Sequence, residues 1–529
     1  MGYTYYFLST LNKLKIYYIS YKMGIPVFFK TLITDYTHVI KPVYSKSIHN
    51  LFFDLNCLIH PCCAKVEDGN EDKMITSIIE HIHKLIQLTE AKFIYIAIDG
   101  PAPKAKMIQQ RARRHKSVLE GKVWDTNAIT PGTKFMNTLN IALHKEFNKS
   151  NIVISDSSEP GEGEHKILQY IKQNKLTLGK QTNCIYGLDA DLIVLSLLSG
   201  LKDIYLLRER TSFNIEQMDC EYLYLDINAL EKEIINEFPK LQIPSKTIIH
   251  DYCFICFLLG NDFIKHSPSL ILRYDGLGHL IHCYKKCQET HSNKFYLINP
   301  NTKGLIHWEN FKTFIKQLSL TENDRMKDTK DIRIKQHRKY KRIYDDMHNT
   351  KDVVVNKHYK NSFPAEDIMR HKPVIFMNDE KHIFEKKELW INRYNTFTLF
   401  GTHQQQVVNS LNDKVNEYCY EYLKSLVWTS HYYFQECLSE SWYYPYESAP
   451  TLQDLSRYLD TNKRVHVKAD KNVCHIKEQL EFIFPKQSYC LCDELNDEGL
   501  EDFTGFTKEF SLLKRYDWEC EPIFGSEPY

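Results

Sequence analysis

From Ile25 to about Lys285 short apolar runs alternate with longer patterned stretches, the rhythm of strands and helices in an α/β domain. Leu51–Leu55, Phe93–Ile98 and Asn183–Leu188 are short, apolar and bounded by polar or turn residues, so they read as buried parallel strands. In PGEGEHK, Pro160 and two glycines form a turn into a helix starting near Glu162. Glu164, Ile167, Leu168 and Ile171 then share one face. The run Ile248–Leu259 reads as a buried helix, on which Cys253 and Cys256 are core residues rather than half of a zinc site. Residues 321–361 shift to dense mixed charge, which predicts a solvated helix or linker between two regions. Beyond it, Leu411–Tyr433 has helical spacing, Trp442–Tyr446 is densely aromatic, and no repeat is present. The expected fold class is α/β: a mostly parallel central sheet flanked by helices, with a second, mainly helical region packed against it. The expected division is an extension of unclear status at 1–22, the α/β domain at 23–320, the charged segment at 321–361 and the second region at 362–529.

Composition narrows this picture without redirecting it. With 529 residues, 43% hydrophobic and 26% charged, the chain has room for more than one core. A formal net charge of +1 gives no global attraction to nucleic acid, so any basic surface must be local. The 15 cysteines form no regular framework and no secretory leader is evident, which points to reduced thiols. A cytoplasmic location is expected, a host cytoplasm if the Ile-, Lys-, Asn- and Tyr-rich composition marks a large DNA virus, with the nucleus left open. Lys13 and Lys15 interrupt residues 1–22 as a membrane span, and Tyr6 stands where a myristoylated chain needs Ser or Thr. No membrane association is expected.

The chemistry lies at the strand ends. Asp54, Asp99 and the Asp189, Asp191 pair end or follow the three strands, and residues at the carboxyl ends of parallel strands converge on one edge. Glu162 and Glu164 come from the helix start, and Asp262 from LLGNDF after the apolar helix. One such acid is ordinarily a cap or turn residue. Five elements each ending in carboxylates call for divalent cations, and hard oxygen ligands suit Mg²⁺ or Mn²⁺. Two ions and a phosphodiester substrate fit this set, with hydrolysis as the reaction. Directly after Asp99, Lys106, Gln110, Arg113 and Arg114 stand on one helical face, a site for a terminal phosphate. His60, six residues after Asp54, is a candidate for stacking on a base.

These same stretches resemble the Xrn family of 5′→3′ exoribonucleases. MGIPVFFK (Met23–Lys30), DLNCLIH, DGPAPKAKMIQQRARR, ITPGTKFM, PGEGEHKI, YGLDADLI and FLLGNDF resemble successive blocks of that family. EYLKSLVW and SWYYPYESAP resemble its second shared region, so the likeness runs from about Met23 to Ser488. The resemblance implies a nuclease core like those of PIN and flap nucleases. Asp54, Asp99, Glu162, Glu164, Asp189, Asp191 and Asp262 would hold the two metals. Lys106, Gln110, Arg113 and Arg114 would bind a 5′ monophosphate, and His60 would stack on the first base. The implied partner is single-stranded RNA with a 5′ monophosphate, degraded processively by a monomer. Three departures stand out. Residues 1–22 precede the family's usual start. The WxWYY motif reads Glu440, Ser441, Trp442, Tyr443, Tyr444, and YHYAP reads Tyr446, Glu447, Ser448, Ala449, Pro450, leaving Trp442 as the expected second stacking face. The sequence stops near 529 without the family's long carboxyl-terminal domains, so the partner contacts of those domains are not expected. Two other readings are a flap-endonuclease-like enzyme on DNA and a non-catalytic RNA-binding protein on this scaffold. Against the first, the chain after GNDF reads IKHSPSLILRYDG, without a glycine-rich hairpin for gripping duplex.

Overall fold

The structure is a computed structural model and describes residues 32, 35–42, 47–119, 123–210, 220–238, 243–291, 295–349, 378–386, 389–401, 408–461, 465–495, 506–514 and 519–524. The extension at 1–22, the block Met23–Lys30 and residues 350–361 of the charged segment lie outside them.

Among the described residues the central sheet has seven strands in the order β1-β7-β6-β5-β2-β3-β4. They are β1 (Ile40–Pro42), β2 (Asn50–Asp54), β3 (Phe93–Ala97), β4 (Ile152–Ser155), β5 (Asn183–Tyr186), β6 (Ile204–Glu209) and β7 (Tyr222–Asp226). Strands β4, β3, β2, β5 and β6 run parallel, and β7 is antiparallel to both its neighbours. The three strands legible in the sequence are thus adjacent at the centre, and every residue of β2 and β5 is buried. Their hydrogen-bonded spans end one or two residues earlier than the apolar runs do, because Leu55 already caps a helix and Gly187 and Leu188 have left the sheet. Strand order reverses between β2 and β5, and ligands bind at such a switch point, beyond the carboxyl ends of the strands.

Helices cover both faces: α1 (Asn56–Ala64), α2 (Glu71–Thr89), α3 (Lys104–Leu119), α4 (Lys134–Glu146), α5 (Gly163–Gln173), α6 (Asp191–Ser199), α7 (Ile227–Asn236), α8 (Ser245–Phe257) and α9 (Gly276–Thr290). One apolar core lies between the sheet and α5 to α9, the other between the sheet and α1, α2 and α4. Cys253 and Cys256 are fully buried in the first, as their spacing suggests.

The remaining helices are α10 (Trp308–Ser319), α11 (Glu322–Asn349), α12 (Asn378–Ile383), α13 (Trp390–Phe400), α14 (Val408–Phe434), α15 (Leu452–Thr461) and α16 (Ile476–Ile483). The described part of the charged segment is helical over Glu322–Asn349, but its first half is not solvated all round. Glu322, Arg325, Met326, Thr329 and Arg333, at helical spacing, are buried. Glu322 accepts the backbone N–H groups of Leu452 and Gln453, each at 2.8 Å. Arg333 forms a two-pronged pair with Glu380, at 2.9 and 2.6 Å. The helical region also reaches the sheet domain directly: Gln479 on α16 accepts the N–H of Ala102 at 2.8 Å, and Ser488 accepts from Asn127 at 2.9 Å.

Candidate metal centre and phosphate site

Each acid of the cluster is placed by the end of an element. Asp54 is the last residue of β2, Asp99 follows β3, and Asp189 and Asp191 follow β5, Asp191 opening α6. Glu162 caps α5, Glu164 lies in its first turn, and Asp262 lies in the turn after α8. Gly163 lets α5 approach this closely: a Cβ there would stand 3.0 Å from Asp54 Oδ1 and 3.2 Å from the Ala97 carbonyl. Its N–H donates to Asp99 Oδ1 at 2.7 Å, so the helix start binds a strand-end carboxylate. Gly100 serves the same approach, since a Cβ there would lie 1.7 Å from the carbonyl oxygen of Glu159.

The seven carboxylates form one electrostatic network. Asp54, Glu162, Glu164, Asp189 and Asp191 are buried, and Asp99 and Asp262 partly buried. Burial, then Asp99, pushes Asp54 up to about 8, although the Cys57 thiol donates to it at 2.9 Å. Asp189 is raised to about 6 by burial and by Asp262. Burial with neighbouring acids takes Glu164 and Asp191 well above the carboxylate range. Asn56 holds the other oxygen of Asp99 at 3.0 Å. Mutual repulsion on this scale inside the protein is what bound cations relieve. Glu162, Glu164 and His165 present ligand atoms within 4.8 Å of one another, and so are placed to hold an ion. The donor set of carboxylate oxygens with one imidazole can hold a divalent cation.

Lys106 is the cation inside this cluster. Its ammonium pairs with Glu162 and, at 2.8 Å, with Asp262. Burial alone would lower Lys106, but Asp262, Glu162 and Glu164 hold it well above its usual value. Burial likewise pushes Asp262 up, and Lys106 with Arg113 outweighs it, holding that carboxyl low. Arg113 Nη2 stands 3.8 Å from Asp262 Oδ1. Arg114 donates to Thr130 Oγ1 at 3.0 Å, and burial together with Arg113 pulls its guanidinium down to about 10. Gln110 is buried beside them. All four residues of the expected phosphate pocket therefore share one face of α3, and two of them contact the acid cluster.

The stacking candidates lie on elements far apart in sequence. His60 is half-buried on α1, one turn beyond Asn56. Trp442 is half-buried with its indole 5.6 Å from that of Trp428. Three residues that the sequence reading passed over also reach the centre. The Tyr432 hydroxyl donates to Glu162 Oε1 at 2.6 Å, Tyr433 lies against Asp191, and the His165 ring is 3.7 Å from that of Tyr432. His165 stands beside Glu164 and was within reach of motif reading. Tyr432 and Tyr433 belong to α14, far along the chain, where nothing local marks them.

Residues 23–122 and 115–210 match the family described as XRN 5'-3' exonuclease N-terminus, and residues 242–492 match the Xrn1 helical domain. The chain belongs to the Xrn family. Among Xrn relatives it is 31% identical over 398 residues to 5'-3' exoribonuclease 2 of Kluyveromyces lactis, covering 58% of this chain and 40% of that one. Against 5'-3' exoribonuclease 2 of Arabidopsis thaliana it is 29% identical over 430 residues, 60% of this chain and 42% of the relative. Against human 5'-3' exoribonuclease 1 it is 28% identical over 530 residues, 88% of this chain and 31% of the relative. The chain thus spans less than half the length of these Xrn relatives. The nuclease-core match covers β2 to β6 and every acid but Asp262, and the helical match takes in Asp262, Tyr432 and Trp442. No helix among the described residues is long and apolar enough to cross a membrane.

Proposed function

We propose that this protein is a divalent-metal-dependent 5′→3′ exoribonuclease that degrades single-stranded RNA bearing a 5′ monophosphate, processively and as a monomer, to 5′-mononucleotides. The observation that carries the reading is the convergence of seven carboxylates from five elements at the switch point of the sheet, beside a cationic face of α3. Asp54, Asp99, Glu162, Glu164, Asp189, Asp191 and Asp262 would hold two Mg²⁺ or Mn²⁺ ions, whose chemistry is to generate hydroxide and steady the leaving oxygen. Gln110, Arg113 and Arg114 would grip the terminal phosphate, the guanidinium forks matching its oxygens. Lys106, touching both acids and pocket, would orient that phosphate against the scissile bond. His60 and Trp442 would stack on the leading bases, a sequence-tolerant hold on a moving strand. The location that goes with this reading is cytoplasmic, with the nucleus as the alternative.

The test is a set of RNA and DNA oligonucleotides with 5′ monophosphate, triphosphate, cap or hydroxyl ends, incubated with Mg²⁺ and sized. Only the monophosphate RNA should be consumed rapidly to mononucleotides, and charge reversal at Arg113 should flatten the preference. Equal rates on capped and monophosphate ends overturn the pocket assignment. Preferential cutting of DNA favours the flap-endonuclease reading, and binding without cutting favours a non-catalytic one.

A further inference from the structure

Glu162 has two oxygens and two demands upon them. Oε2 meets the Lys106 ammonium on the side of the acid cluster, while Oε1 accepts the Tyr432 hydroxyl at 2.6 Å on the side of the helical region. A carboxylate with one oxygen pinned cannot swing about its last bond, so its other oxygen stays aimed at the cluster. The phenol itself has no freedom. Its ring lies 3.7 Å from the His165 ring, stacks on Trp428 at 4.8 Å and 17°, and meets Phe263 edge-on at 5.1 Å. His165 follows Glu164 and Phe263 follows Asp262, so this one side chain touches the elements bearing three of the seven acids.

We propose that Tyr432 is a positioning residue of the metal centre: from α14 it fixes the rotation of Glu162 and braces the turns that carry Glu164 and Asp262, so that the helical region sets the centre's metal affinity. The inference rests on the reading of the acid cluster as a metal site. Partners of metal-ligating carboxylates that orient them characteristically affect metal affinity by about 10- to 100-fold.

The experiment is Mn²⁺ titration of the full chain, followed by electron paramagnetic resonance, for wild type, Tyr432→Phe, Tyr432→Ala and Tyr284→Phe. Tyr284 is a control of the same kind, a buried phenol on a buried carboxylate, Asp251, at 2.5 Å and outside the cluster. Tyr432→Phe keeps the ring and removes only the hydroxyl. It should weaken Mn²⁺ binding by about 10-fold or more, raise the metal concentration for half-maximal cleavage in parallel, and leave KM for RNA unchanged. Tyr284→Phe should leave Mn²⁺ affinity unchanged. Tyr432→Ala should weaken binding at least as much as Tyr432→Phe while also lowering the melting temperature. Unchanged Mn²⁺ affinity in Tyr432→Phe overturns the positioning role while leaving the metal reading intact. Equal losses in Tyr432→Phe and Tyr284→Phe overturn it too, since they show only a structural effect. Failure of the wild type to bind Mn²⁺ overturns both readings.

Discussion

At the scale of single residues, the acid cluster makes two demands that can be measured. Asp189 and Asp191 follow the central strand β5, with the Asp191 N–H on Asp189 Oδ1 at 3.1 Å, so loss of either carboxylate removes a ligand and disturbs its neighbour. Asp189→Ala or Asp191→Ala should lower hydrolysis by more than about 100-fold, beyond the cost of losing an outer partner, with RNA binding largely kept. Undiminished hydrolysis in either variant, or in the wild type with excess EDTA, would contradict the metal reading. The second demand is protonic. Asp189 and Asp54, raised to about 6 and about 8, keep protons that the unfolded chain releases near pH 4. Their contribution to stability is therefore full below that pH and is lost as pH rises through 6 and then 8. In EDTA the melting temperature should fall between pH 5.5 and 8.5, Mg²⁺ should restore it most at the upper end, and calorimetry near pH 7 should show proton release on metal binding. A melting temperature level with pH in EDTA, and no proton release, would show that the carboxyls are already ionised. Asp54, Asp99, Asp189 and Asp191 were legible because they end or follow short apolar runs, where a charge is conspicuous, and Glu162 and Glu164 because they follow a Pro–Gly turn into a helix. The engagement of Lys106 with Glu162 and Asp262 was not, because helical spacing tells which residues share a face but not what that face meets.

At the scale of elements, β2, β3 and β5 were readable because strands buried on both faces are apolar throughout. Strand β4 was not, because it lies at the sheet edge and is partly exposed. The charged segment shows the reverse failure: its charges suggested solvent, yet Glu322 and Arg333 are buried against partners more than forty residues away in sequence. Composition counts charges and is blind to their pairing. Arg333→Met would strand Glu380 in a dry site and should cost about 3–5 kcal/mol in denaturant unfolding. The double variant Arg333→Met with Glu380→Leu should regain most of that loss. A single-variant cost below about 1 kcal/mol would mean that α11 is held by its apolar contacts alone, as exposed ion pairs are worth no more than this.

At the scale of the whole molecule, both matched regions reach the acid cluster, the helical one through the bond of Tyr432 to Glu162. His60 rides on a helix of the sheet domain, while Trp442 lies on Trp428, whose ring in turn lies on Tyr432. A stack on the leading base would need both rings, each base being worth about 1–3 kcal/mol. His60→Ala and Trp442→Ala should each release RNA of intermediate length while sparing the first cleavage, and the double variant should be little worse than either alone. Processive decay by Trp442→Ala at the wild-type level would assign the indole to the core. The bond between Tyr432 and Glu162 spans 270 residues of sequence. At roughly 5–20 residues per second, the ribosome needs about 15 to 50 s to add that stretch. Through that interval the nascent chain carries Glu162 without its phenol, so the order of segments along the messenger also sets a clock on when the centre can close.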